Sequence, residues 1–213
     1  KTLIVAPLAV SSQTVREAAK IGIDVQYVRS QTEAQGNISI TNFEMASRMD
    51  ASAFGAVVLD ESSILKNADG ATRISLTEQF QNTPYKLCCT ATPAPNDIAE
   101  FANHAEFLGV ASRQEMLSMF FVHDDDGWRL KGHAREDFYK WMATWAVMVM
   151  KPSDIGFDDT NYNLPNLTVT PEIVNGDEEA IAHAQGRLFM PTLNGVQGRA
   201  AIRRSTLAAR VAR

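Results

Sequence analysis

The chain has 213 residues, 45% of them hydrophobic and 21% charged, with a formal net charge of −5. This is enough chain and apolar side chain to bury a core, so disorder as the main state is excluded. The longest apolar stretch, Trp141 to Met150, falls short of the ~20 residues a bilayer span needs, and a net negative charge offers no global attraction to nucleic acid.

The predicted elements alternate in the first half. Leu3 to Ala6 is a short apolar strand stopped by Pro7, and a helix follows with Ser11 and Ser12 as N-caps and Gly22 at its C-terminus. Val25 to Val28 and Asn37 to Thr41 are the next strands, the latter leading into a short helix from Phe43. Ala56 to Leu59 is a fully apolar strand ending in Asp60-Glu61, followed by a helix over Ala71 to Gln81. Tyr85 to Thr90 is the fifth strand, and Asp97 caps a helix running to Leu108. Continuous apolar strands separated by amphipathic helices predict an α/β fold with a parallel sheet covered on both faces.

After Gly109 the alternation stops. Arg113 to Phe121 and Ala134 to Met150 read as helices around a polar turn, Asp124 to Gly127, and Lys151-Pro152 breaks the chain. Asp158 to Pro165 reads as loop, Leu167 to Val174 as extended, and Gly176 to Arg187 and Arg199 to Arg213 as helices. The basic side chains of the last segment, Arg199, Arg203, Arg204, Arg210 and Arg213, offer a local surface for weak, salt-sensitive DNA binding. The sequence opens on Lys1 with no secretory leader and closes in a helical pattern, so it reads as an internal segment of a longer protein. Its two cysteines, the adjacent Cys88 and Cys89, form no disulfide framework and point to a reducing compartment, the cytoplasm.

The sharpest chemical feature is Val57-Val58-Leu59-Asp60-Glu61-Ser62-Ser63. Ligands of open parallel sheets bind beyond the carboxyl ends of strands, so this strand delivers two carboxylates to that crevice. In a nucleotide hydrolase, Asp60 would hold Mg²⁺ and Glu61 would take a proton from the attacking water. Read alone, the pair is more simply a solvated strand end. Its context adds Thr90 and Thr92 at a neighbouring strand end, with Ala6-Pro7 and Thr41-Asn42 closing two more strands. Cys88 and Cys89 with His104, His123 and His133 also raise a zinc site or a Cys–His nucleophile, but no Cys-x-x-Cys pair occurs, and core cysteines are the simpler reading. Phe138, Trp141, Met142, Trp145 and Met148 recur at helical spacing and are read as the buried face of one helix.

Taken in order, these segments resemble a family. Leu3 to Leu8 resembles helicase motif Ia, Ile40 to Glu44 motif Ib, Leu59 to Asn67 motif II with its trailing Lys66-Asn67, and Thr90-Ala91-Thr92-Pro93 with Asn96 motif III. The set is similar to the first RecA-like lobe of superfamily-two helicases and translocases of the Swi/Snf type, a P-loop NTPase fold. Trp128 to His133 and Lys151 to Asp154 further resemble bacteriophage-encoded members. The resemblance implies a partial RecA-like lobe over residues 1–110, a helical insertion over 111–165 and a connection toward a second lobe over 166–213. It implies ATP and Mg²⁺ as cofactors, with Asp60 and Glu61 catalytic and Asp60 the metal ligand. Thr90 and Thr92 would then join the nucleotide site, while Pro7, Thr41, Asn42, Lys66 and Asn67 would meet the DNA backbone without reading sequence.

Two departures qualify it. Ser62-Ser63 stand where the family often has Ala-His or Ala-Asp. No Gly-x-x-x-x-Gly-Lys-Ser/Thr loop, the phosphate cradle, occurs in the 213 residues. Two rivals therefore stay open: an ATPase of another P-loop class, such as a nuclease–ATPase subunit, and a non-catalytic DNA-binding remnant.

Overall fold

The computed structural model describes residues 1–124, 127–162 and 165–171, together with Arg203, Thr206 and Leu207. Strand β1, Thr2–Ala6, is the apolar run expected, with Leu3 and Val5 fully buried. Pro7 ends it and helix α1, Leu8–Lys20, begins at once. This corrects the expected N-caps. Proline's fixed φ starts the helix itself, so Ser11 lies inside it, buried, and donates its hydroxyl back to the Pro7 carbonyl at 3.1 Å. Gly22 ends α1 with φ 76°, which lets the amide of Ile23 reach the Ala18 carbonyl at 3.0 Å.

Strands β2 (Gln26–Tyr27), β3 (Ile38–Asn42), β4 (Ala56–Asp60) and β5 (Tyr85–Cys89) complete a five-stranded sheet in the order β2-β3-β1-β4-β5, and every pairing is parallel. Helix α2 is one turn, Phe43–Ala46, capped by Asn42, which accepts the Met45 amide at 2.8 Å. Helix α3, Ala71–Gln79, links β4 to β5. A short turn at Ile98–Glu100, capped by Asp97, leads into α4, Phe101–Leu108. Leu3, Val5, Val57, Leu59, Phe80 and Phe107 form the main core on one sheet face. On the other face, Ile40 and Ala6 pack with Val10, Val15 and Ala18 of α1. The fold is thus mixed α/β on a parallel sheet.

A second core follows. Helix α5, Arg113–Phe120, opens on a capping box between Ser112 and Glu115. Strands β6 (Phe121–Asp124) and β7 (Gly127–Leu130) pair antiparallel, so the predicted polar turn is the tip of an unpredicted hairpin. Each strand has only four residues, too short for alternation to declare itself. Helix α6, Arg135–Met142, is far shorter than the predicted Ala134 to Met150. Thr144 turns its hydroxyl back to the Trp141 carbonyl at 2.7 Å. Beyond it, Ala146 to Met150 are apolar on every side and lead into Pro152, so no amphipathic face carries the helix on. The apolar stripe is core only where α6 exists: Phe138 is fully buried, Met142 is buried, Trp141 and Trp145 pack partly against them, and Met148 is 78% exposed.

The chain divides into two compact units, Lys1–Met148 and Val149–Arg213. In the second, a turn at Pro152–Ile155 follows Lys151, which pairs with Asp159 at 3.2 Å. Thr160–Tyr162 form another short turn within the predicted loop. Residues 167–171 belong to no strand, unlike the expectation, and 172–174 lie outside the described residues. So do the predicted helices Gly176 to Arg187 and Arg199 to Arg213, apart from the three single residues named above. Among the described residues, no helix is long and apolar enough to cross a membrane.

Candidate functional site at the carboxyl edge of the sheet

Because β3, β1, β4 and β5 are adjacent and parallel, their carboxyl ends share one edge. Pro7, Asn42, Asp60 and Thr90 therefore arrive there from separate parts of the sequence. The register sets Val5 beside both Thr41 and Leu59, and Asp60 beside Cys89.

Asp60 is half-buried, and its Oδ1 accepts the Glu61 amide at 3.1 Å. Glu61 is exposed, with φ 54° and ψ 49°. Among the described residues it is the one non-glycine with positive φ, a conformation that costs a non-glycine on the order of 1–3 kcal/mol and persists where its surroundings over-determine it. The chain then enters a 3-10 turn, Ser62–Lys66.

Helix α4 holds that turn. The Nδ2 of Asn103 donates to the carbonyls of Leu65 and Lys66 at 2.9 and 3.0 Å. His104 Nε2 lies 3.2 Å from the Ser62 hydroxyl, and all three side chains are buried. Glu106 pairs with Arg73 of α3, whose Nε donates to the Ala68 carbonyl at 2.9 Å. Burial pulls the His104 imidazole below its ordinary value, against the opposing pull of the Glu100 carbonyl, so it is neutral at pH 7. Burial also pushes the Cys88 thiol up to about 12, although the Ser62 hydroxyl beside it acts the other way. Cys89 is raised by burial and by the Asp60 carboxylate. Both are thiols at neutral pH, and the geometry offers no activated cysteine.

The remaining expected residues divide. Thr90 is half-buried and accepts the amide of exposed Thr92 at 3.0 Å. Lys66 and Asn67 are exposed on the turn that α4 grips, with Asn67 accepting the Asp69 amide at 3.2 Å. Pro7 is half-buried at the edge. Thr41 is fully buried and donates its hydroxyl to the Val28 carbonyl at 2.8 Å, while Asn42 serves as the α2 cap. The side-chain oxygens of these two are already used within the fold.

Among the described residues, no group of three or more His, Cys, Asp or Glu side chains could hold a metal ion. Mg²⁺ is held by one or two carboxylates together with waters and substrate phosphates. Asp60 and Glu61 suit that role, while the sequence contains no Gly-x-x-x-x-Gly-Lys-Ser/Thr loop to hold the phosphates. The zinc alternative finds no support in this arrangement: Cys88 packs into the main core and Cys89 is exposed.

Ser62, Asn103 and His104 are the site residues that sequence reasoning missed as structural partners. Asn103-His104 are adjacent polar residues flanked by Phe101-Ala102 and Ala105 in a helix whose other polar side chain is Glu106, and that interruption was the available signal. Compared with known proteins, the chain matches no family model and no curated protein.

Proposed function

We propose that the chain is the first motor lobe of an ATP-dependent DNA helicase or translocase, with a RecA-like fold, acting in the cytoplasm. One observation carries the reading. The strand order brings the four segments that resemble motifs Ia, Ib, II and III to one carboxyl edge, with the Asp60-Glu61 carboxylates between Pro7 and Thr90. On this reading Asp60 holds Mg²⁺, which supplies charge neutralisation at the ATP phosphates, and Glu61 accepts the proton of the attacking water. Thr90 and Thr92 link the nucleotide site to DNA-facing groups. Lys66 and Asn67, both exposed, and half-buried Pro7 remain the best placed of the proposed DNA contacts, since Thr41 is buried and Asn42 caps α2. The phosphate cradle and the second lobe with its arginine finger would come from elsewhere in the complete protein.

The test is steady-state ATP hydrolysis by the complete gene product, with and without DNA of unrelated sequences. The motor reading predicts hydrolysis stimulated by DNA whatever its sequence. Replacing Thr90 and Thr92 with Ala blunts that stimulation while leaving DNA-free hydrolysis nearly intact. Hydrolysis indifferent to DNA would favour another P-loop ATPase class, and DNA binding with no hydrolysis a non-catalytic remnant.

A further inference from the structure

Glu61 stands at a point of backbone strain, and the question is what holds it there. Within its own segment, its amide meets Asp60 Oδ1 and its carbonyl accepts the Ile64 amide at 3.3 Å. Both are short-range bonds that a turn of the ordinary hand also accommodates. The constraint from outside falls on the next residue. Ser62 is fully buried, and its hydroxyl lies 3.2 Å from Nε2 of His104, 42 positions further along the chain. The Cys88 thiol of β5 adjoins the same hydroxyl. The imidazole is 4% exposed, and its Nδ1 is buried, with only the Glu100 carbonyl of the preceding helical turn acting on the ring from that side. Its one hydrogen bond to a residue outside the neighbouring helical turn is the one to Ser62. A polar ring kept in a core with one nitrogen poorly satisfied is a poor choice for packing alone.

We propose that His104 is a positioning residue: by anchoring the Ser62 hydroxyl through Nε2, it keeps Glu61 in the left-handed conformation that displays its carboxylate at the carboxyl edge of the sheet. The importance of that display rests on the reading of Glu61 as the proton acceptor. The backbone effect does not, and the two are measured separately. Asn103 grips the far end of the same turn, at Leu65 and Lys66, and leaves Ser62 to His104.

The experiment is NMR on the 213-residue chain. The readout is the strong intraresidue HN–Hα cross-peak of Glu61 that marks a positive φ. A Gln at position 104 carries its amide nitrogen out to about where Nε2 sits, whereas Asn reaches only as far as Nδ1. The expected result is that His104→Gln keeps the Glu61 signature. His104→Asn and Ser62→Ala lose it, with amide shifts of β1 and β3 unchanged in each. Retention of the signature in both His104→Asn and Ser62→Ala overturns the proposal, as does its loss in His104→Gln to the same extent as in His104→Asn. Should His104→Asn not fold, Ser62→Ala, which removes a single oxygen, decides alone. A failure of the proton-acceptor reading would appear elsewhere, as unchanged turnover in Glu61→Gln.

Discussion

Replacing Asn103 with Ala removes the donor that ties α4 to the turn after the acidic pair. Asn103 is 1% exposed, and its Nδ2 reaches the carbonyls of Leu65 in a buried setting and Lys66 in a partly buried one. Each bond contributes about 0.5–1.5 kcal/mol net, and a carbonyl left dry without a donor costs about 1–3 kcal/mol. Against this, Asn103 Oδ1 is already buried and unpaired, so truncation relieves one penalty of about 1 kcal/mol. The balance is a destabilisation of about 2–3 kcal/mol. Asn103→Asp is worse, because it turns a carboxylate toward two carbonyl oxygens and gives neither a proton. Urea unfolding followed by tryptophan fluorescence reads this in the right unit, since Trp128, Trp141 and Trp145 all lie within Lys1–Met148. The midpoint should fall with the slope unchanged. A loss below about 0.5 kcal/mol for Asn103→Ala would refute the clamp, since it would mean that the turn holds without α4.

Phe138 fills the second core and meets Phe120 and Phe121 edge-on at 5.4 and 5.6 Å, so Phe138→Ala should cost about 3–5 kcal/mol in the same urea assay; exposed Met148→Ala should stay within about 0.5 kcal/mol. Stability should also depend on pH through His104. Its folded-state value lies below the ordinary 6.5, so the unfolded chain takes up the proton first; stability is complete above pH 6.5 and declines as pH falls below it. His104→Gln should flatten that decline in urea midpoints measured from pH 7.5 to 5.5. The carboxylates of Asp50 and Glu115, held down by hydrogen bonds from Ser52 and Ser112, titrate below their ordinary 3.8 and 4.5 and so outside that window. Iodoacetamide at pH 8 should modify exposed Cys89 first and leave Cys88 largely untouched, as mass spectrometry of the labelled peptides would record.

The sheet was legible because strands of a parallel sheet, buried on both faces, are continuous apolar runs, and Leu3 to Ala6 and Ala56 to Leu59 are such runs. Strand order and register were not, yet they decide that Pro7, Asn42, Asp60 and Thr90 meet. The errors have local causes. At Ser11, a hydroxyl bonded back into its own helix looks in sequence like a cap. At Trp145 and Met148, helical spacing continues the stripe of Phe138, Trp141 and Met142, but the helix ends at Met142 and Met148 is exposed, because spacing alone does not fix where a helix stops. The acidic pair was visible as residues, but its support was not. Ser62 and His104, or Asn103 and the Leu65 carbonyl, are separated by 42 and 38 positions. No periodicity relates residues that far apart, and only the packing of α4 against the turn brings them together. Thr41 shows the converse: a residue that fits a motif by type and place, with its hydroxyl committed to Val28 inside the fold.

The central claim is that Glu61 is the proton acceptor of an ATP hydrolysis site completed by Asp60, and Glu61→Gln in the complete gene product tests it most directly. The substitution removes the acceptor and keeps the shape. With Mg²⁺ and DNA present, turnover should fall by about 10²–10⁴, while the affinity for Mg²⁺–ATP stays near that of the unaltered protein; Asp60→Ala should weaken that affinity as well. Near-normal turnover in Glu61→Gln would contradict the account.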